Sequence, residues 1–363
     1  MRVTSQWPLW LYQRYSRVWE RALLSAGWAA LYVLCDAGID AFPVQWRVVL
    51  AACIAVGGLW KPVVAYALFV AAVAYPLYLI SIYVMALALA VLILSAPAVV
   101  RFLPQTLWVL VAILFAPVHL APIMPLLAGL WWGETAGAIV GGLAALWLKI
   151  GAGMTGVSPD LWQVNGWTLD VVLVYERFHT ADSLQTLVRI VEPLASNSLI
   201  LLFNLLQVLT WAAAGFVVGL LIHSLHTWKS QVRAAPYSAW SAALSLGPGL
   251  VLIWGGYVAV PAWLQLDGPR WFEPPWLLAQ ILLAGGVAWV VDALRRWLQQ
   301  PVLANDGQRH SPARSVKQEK RQSVRSTQVQ KQVDSPDELL QQARTKRRRR
   351  DDPEEDIIML ELD

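Results

Sequence analysis

Few side chains in this sequence could do chemistry, and their spacing limits what that chemistry is. Glu134 follows Trp131, Trp132 and Gly133 in a stretch otherwise free of charge. A carboxylate so placed points to an ion, proton or substrate path, because an ionised group within a bilayer is costly and is usually kept where it works. If instead the chain turns at Gly133 to Gly137, the same residue is only a loop charge. His119 is the nearest candidate partner in sequence, with no spacing rule joining the two. His223 and His226 stand three apart and could share a metal from one helical face. No Asp, Glu or Cys stands near them to complete a ligand set. Asn204 and Gln207 suit hydrogen bonds to another helix or the lining of a polar path. Asp292 precedes Arg295 and Arg296 by three and four positions, the spacing of an ion pair at a helix end. Ser245-Leu-Gly-Pro-Gly lacks the glycine framing of a nucleophile elbow. The sequence has no phosphate loop, HExxH, CxxC or triad pattern, so no catalytic residue, metal or cofactor is assigned.

These groups hang on elements that composition identifies. Of 363 residues, 57% are apolar and 14% are charged, against about 45–50% and about 25% in a soluble domain. The mean hydropathy is +0.50. A soluble globular enzyme is excluded on these numbers, and an all-α polytopic integral membrane protein is expected. The average conceals a split. Residues 1–300 hold 27 charges and all 21 tryptophans, whereas residues 301–363 hold 25 charges and no tryptophan. The net charge of +4 divides as +3 in the body and +1 in the tail, so neither part is the basic surface that nucleic acid needs. Cys35 and Cys53 lie in apolar stretches and read as small packing residues.

Spanning helices need about 20 mostly apolar residues. Uncharged runs cover residues 63–100, 102–133, 135–148, 193–228, 234–266 and 274–291, with shorter runs at 22–35 and 48–60. The first long run divides near Pro76 to Ser81. Pro117, Pro122 and Pro125 divide the second near Ala121 to Pro125. The plain count is nine spans. Lys and Arg in short loops mark the cytoplasmic side, and Arg2, Arg14, Arg17 and Arg21 place the first end there. Lys229 and Arg233 place their loop, and Arg295 and Arg296 the second end, on the same side. Two ends on one side require an even number, so eight to ten transmembrane helices are expected. Eight follows if residues 22–35 are a surface or re-entrant segment. The expected location is a bacterial inner (plasma) membrane with both termini cytoplasmic.

Gly129, Gly133, Gly137 and Gly141 repeat at spacing four and are continued by Ala145. On a helix they make a face without side chains, a glycine zipper against which another backbone packs closely. That neighbour is another span or a second copy of the chain. If this helix runs unbroken from Pro125 to Ile150, Glu134 lies about 13–14 Å from its start, near mid-membrane. The stretch from Pro125 to Gly142 is similar to small-residue patterns in substrate-capture subunits of bacterial vitamin transporters and in polytopic sensor modules. The likeness covers 18 residues and carries no ligand site.

The chain divides into five parts. Residues 1–22 read as an interfacial amphipathic basic segment, with Trp7, Trp10, Tyr15 and Trp19 among arginines. Residues 23–154 form an N-terminal helix bundle with the glycine face. Residues 155–196 are an extracytoplasmic amphipathic cap, in which Leu184, Leu187, Val188, Val191 and Leu194 share one face, lying on the membrane or capping the body. Residues 197–300 are the C-terminal membrane helices. Residues 301–363 form a charged, disordered cytoplasmic tail, with a short helix near 336–350 started by Ser335 and Pro336.

The tail offers two attachment features. Arg347, Arg348, Arg349 and Arg350 form a basic cluster for lipid or a partner. Ile357, Ile358, Met359 and Leu360 form an apolar docking peptide flanked by acids. The leading expectation is a non-enzymatic scaffold or complex subunit, held in the lipid bilayer, that recruits a cytoplasmic protein through residues 335–363. A transporter or substrate-capture protein with a polar path near Glu134 and His119 is the alternative. A membrane-embedded sensor or enzyme is the third reading.

Overall fold

A computed structural model describes residues 14–164, 166, 168–231, 239–266 and 276–299. All regular structure among these residues is helical, as expected where backbone groups in lipid must pair within their own segment. The first five helices are α1 (Ser16–Ile39), α2 (Val44–Trp60), α3 (Pro62–Ile80), α4 (Ile82–Arg101) and α5 (Leu103–Phe115). α6 (Ile123–Thr155) is followed by three short helices, α7 (Leu161–Val164), α8 (Val171–Phe178) and α9 (Ser183–Ala195). α10 (Ser198–Gln231), α11 (Ala239–Trp263) and α12 (Trp276–Gln299) complete the set. Among the described residues, seven helices are long and apolar enough to cross a membrane, and α2 and α5 are shorter apolar helices.

Residues 22–35, expected as a surface or re-entrant segment, are part of a longer helix. They lie inside a 22-residue apolar helix, Val18–Ile39, that is long enough to cross. Arg21 and Asp36 bound the uncharged run without ending the helix, and the buried Asp36 is paired with Arg47. Ser16 onward belongs to this same helix, and residues 1–13 of the expected interfacial segment lie outside the described residues.

The expected division near Pro76 to Ser81 occurs at Ser81. Its extended backbone separates α3 from α4, and its hydroxyl accepts a hydrogen bond from the Tyr83 amide. Proline at the first turn of α3 and of α5 costs no helical hydrogen bond, because those amides have no partner within the helix.

α6 carries the largest departure from a simple span. Gly133 has φ 84° and ψ −174°, a conformation open essentially to glycine alone. The chain folds back there. A Cβ at Gly137 would lie 2.7 Å from Gly129 Cα, and one at Gly141 would lie 2.9 Å from Pro125 Cβ. Along an unbroken helix, positions eight apart are separated by about 12 Å. Residues 123–132 and 134–155 are therefore antiparallel arms, paired symmetrically about Gly133. The first arm is about 15 Å long and the second about 33 Å. The four glycines do not line one face of one helix. Gly129 sits on the short arm, Gly133 makes the turn, and Gly137 and Gly141 sit on the long arm.

α10 packs on α6 more extensively than any other pair of helices. Gly215 makes this approach, with the Gly137 carbonyl against it, and Gly219 lies against Glu134 N. The main core joins these helices to α11 through Leu126, Leu148, Trp211, Val218 and Ile253. A second core joins α1 to α4 around Trp28, Tyr32, Tyr66 and Phe69.

One end of the bundle gathers the α1, α3 and α4 ends against α8. Val171 stands 2.9 Å from where a Gly38 Cβ would be, and Ile80 and Val84 pack with Val174 and Phe178. The other end gathers the Gly133 turn and the end of α12, where Arg295 stands 4.9 Å from the Trp131 ring centre.

Candidate functional site

Lys149 is fully buried on the long arm of α6, six residues before its end and about 9 Å below it. Its neighbours arrive from three directions. Beyond Thr155 the helix closes on Gly156, whose φ is 77°, while the Val157 amide reaches back to the Ala152 carbonyl at 3.1 Å. This left-handed helix end turns the chain about. The following segment drops back into the bundle, and Asp160, Leu161 and Val164 are all buried. From the second direction, Phe203, Asn204, Gln207, Trp211 and Ala214 form the buried stripe of α10. From the third, α11 supplies Gly256 and Tyr257.

The Lys149 Nζ donates to Gln207 Oε1 at 2.6 Å, to Pro159 O at 2.7 Å and to Asn204 Oδ1 at 2.8 Å. A protonated amine has three donors and no acceptor, so three acceptors match the ammonium. Gln207 is saturated as well. Its Oε1 also accepts from the Leu161 amide at 3.2 Å, and its Nε2 donates to Asp160 Oδ1 at 2.7 Å and to Gly256 O at 3.4 Å. Asp160 Oδ1 further accepts from the Trp162 amide at 3.2 Å. Asn204 Nδ2 donates to Leu194 O at 2.8 Å, which fixes the orientation of that amide. The Phe203 ring centre lies 5.5 Å from Nζ.

This is one opposite-charge pair bridged by a neutral amide. A lone buried ammonium is strongly disfavoured; here acceptors surround the cation, and a carboxylate one amide away balances its charge. The arrangement bolts the re-entrant segment at Pro159 and Asp160 to α6, α10 and α11. Beside it, the Trp211 indole N–H and the Tyr257 hydroxyl are buried against each other.

A second ionic cluster closes the α1–α2 junction. Arg47 donates through Nε to Asp36 Oδ2 at 2.5 Å and through Nη2 to Asp40 Oδ1 at 2.6 Å. The Asp36 side chain is fully buried and that of Asp40 is exposed.

Glu134 follows the Gly133 turn and is half-buried beside Gly219. His119 lies at the other end of the short arm, with a φ of 59°. A Cβ on Gly166 would stand 3.0 Å from its Nδ1, and the Gly166 amide donates to Ala116 O at 2.7 Å. The short arm, about 15 Å long, separates Glu134 from His119, and the structure does not bring them together.

His223 is exposed on α10, and the His226 side chain lies outside the described residues. Among the described residues, no three His, Cys, Asp or Glu side chains converge as a metal site would need. Asp292 pairs with Arg296 at the expected spacing. The tail residues Arg347 to Arg350, Ile357, Ile358, Met359 and Leu360, with the helix expected near 336–350, lie outside the described residues.

No protein-family model matches the chain, and no curated protein or solved structure matches it either.

Sequence reasoning singled out Asn204 and Gln207 but missed Lys149 and Asp160. Lys149 follows a 14-residue uncharged run and reads as the end of that span. Its signal was the further apolar stretch Ile150 to Met154, which carries the helix on for another turn and a half. Asp160 stands in a Ser-Pro-Asp turn, and its burial depends on a partner that no local pattern reveals.

Proposed function

We propose that this chain is a multi-pass membrane scaffold with eight crossings, which recruits a cytoplasmic protein through residues 335–363. The crossings are α1, α3, α4, the long arm of α6, α10, α11 and α12, together with α2, whose 17 residues are the lower limit for a span. Residues 103–132 enter and leave on one side as a re-entrant pair. The saturation of the Lys149 centre is the observation that supports a scaffold. All three ammonium donors and both ends of the Gln207 amide are engaged with the protein itself. Such a centre holds four elements in one geometry and presents no unused ammonium proton to a cargo.

Charge supports the orientation. The end of the bundle with the Gly133 turn carries Arg21, Lys61, Arg101, Arg295 and Arg296 with Glu20, Glu134 and Asp292, and the opposite end carries Arg47, Arg177 and Arg189 with Asp36, Asp40, Asp170, Glu176, Asp182 and Glu192. The basic end is cytoplasmic by the rule that Lys and Arg stay inside. It carries the start of α1 and the end of α12, from which the tail follows.

Deleting residues 335–363 is expected to abolish co-purification of a cytoplasmic protein while the membrane body still inserts. Unchanged co-purification would overturn the recruiting role. A transport reading draws support from the Lys149–Asp160 pair, since intramembrane charges often mark a path. It predicts that a variant neutral at both positions folds but loses flux of a small charged solute in proteoliposomes. The scaffold reading predicts that the same variant still recruits its partner.

A further inference from the structure

We propose that the α8–α9 pair is sunk in the lipid leaflet at its end of the bundle, with one apolar face of α9 against acyl chains. The inference rests on the membrane reading above and adds a lipid-binding surface to it.

α9 carries apolar side chains on its outer face as well as its inner one. Leu184, Leu187, Val188 and Val191 are 69, 47, 52 and 52% exposed, while Thr186 is 1% exposed. On the inner side the Thr186 hydroxyl donates to Asp182 O at 2.7 Å, while Ile190 packs on the core of Ile80, Val84, Val174 and Phe178. Arg177 Nη2 donates to Arg189 O at 3.0 Å, tying α8 to α9. α8 continues the pattern, with Val172 and Tyr175 exposed and Val174 and Phe178 buried.

Depth identifies the occupant. Pro193 Cβ lies 3.5 Å from where a Gly153 Cβ would stand, two residues short of the end of the long arm. The Leu194 carbonyl accepts from the side chain of Asn204, whose Cα lies six residues, about 9 Å, below the start of α10 and whose side chain leans back toward that start. Two spanning helices thus independently place the C-terminal half of α9 below their own ends. The two contacts lie between about 3 and 9 Å below the helix ends, overlapping the depth of about 5–10 Å to which interfacial helices bury their apolar face. The exposed face is also continuous in chemistry with the lipid belt of the spans, where Leu94 and Val251 are 82 and 65% exposed. An aqueous protein partner would need this face above the membrane surface.

The test is spin-label accessibility in proteoliposomes of phosphatidylcholine and phosphatidylglycerol. Single labels are placed at Val188→Cys, Gln185→Cys and Leu94→Cys, in a chain whose Cys35 and Cys53 are alanine. The expected result is high oxygen and low nickel-chelate accessibility at 188 and at 94, with a ratio several times that at 185. A label at 188 open to the nickel chelate while 94 is not would overturn the proposal alone. Nickel-chelate access at both 188 and 94 would overturn the membrane reading with it. A label at 188 shielded from both reagents would mean that protein covers this face, and would also refute lipid contact.

Discussion

Replacing Lys149 by methionine keeps an unbranched side chain, one atom shorter, and removes its charge and all three donors. The Asn204 Oδ1 and Pro159 carbonyl acceptors then lose the partners they have in the structure. Gln207 Oε1 keeps only the Leu161 amide, and Asp160 stays buried without its counter-charge. Each orphaned acceptor costs about 1–3 kcal/mol, and breaking a buried pair from one side costs about 3–5 kcal/mol in all. We take about 3–5 kcal/mol as the expected loss, since these contributions overlap within one network. That is a large share of a total stability of about 5–15 kcal/mol, so the variant should also insert with poor yield.

Asp160→Asn should lose a similar amount, because it strands the ammonium. The double variant, Lys149→Met with Asp160→Asn, removes both charges and leaves mainly unpaired neutral acceptors. Its loss should fall short of the summed single losses by at least about 2 kcal/mol, the sign of a coupled pair. Reversible unfolding in mixed micelles, followed by circular dichroism, measures all four corners of the cycle. Strict additivity, or a Lys149→Met protein as stable as the parent, would refute the bridged-pair account.

Two further outcomes follow from the backbone and from the orientation. Gly133→Ala forces a β-carbon into φ 84° and ψ −174° and should cost about 1–3 kcal/mol, whereas Gly255→Ala should be neutral or stabilising by up to about 1 kcal/mol. Gly255 lies inside α11, and a Cβ there meets nothing within 4 Å; equal losses in thermal unfolding at the two sites would contradict the hairpin turn. Single cysteines at Glu134 and Asp182 should react from opposite sides with a membrane-impermeant thiol reagent, 182 from outside intact cells and 134 only after permeabilisation, and labelling of both from one side would refute eight crossings.

The membrane body was legible because lipid leaves a strong mark on composition. The Ser81 break and the Asp292–Arg296 pair were legible because each depends on residues within one turn of one another. Gly133 was legible only as a choice between a smooth helix face and a turn. Spacing four suits both, since Gly137 faces Gly129 across the hairpin and would also share its face on a straight helix. The Lys149 centre was half legible. Asn204 and Gln207 announce a polar partner three residues apart on a span, but the partner comes from 55 and 58 positions away. Long-range pairing of that kind leaves no periodic trace.

The parity of the crossings turns on how a charge near a helix end is weighed. Counting uncharged runs penalises α1, because Arg21 and Asp36 cut its run to 14 residues. It favours residues 102–133, whose 32 uncharged positions look like a span and more. The structure inverts the two. Asp36 is balanced by Arg47 at the bundle end, so α1 keeps its length. The long uncharged run is divided by the buried turn around Ala121 and then reversed at Gly133, leaving a 13-residue α5 and a short arm of about 15 Å. Hydrophobicity therefore reports where chain can be buried, whereas crossing requires an uninterrupted rise of about 30 Å. An apolar segment packed against its own returning arm meets the first condition without the second. That difference makes the eight-crossing reading consistent with two basic ends on one side.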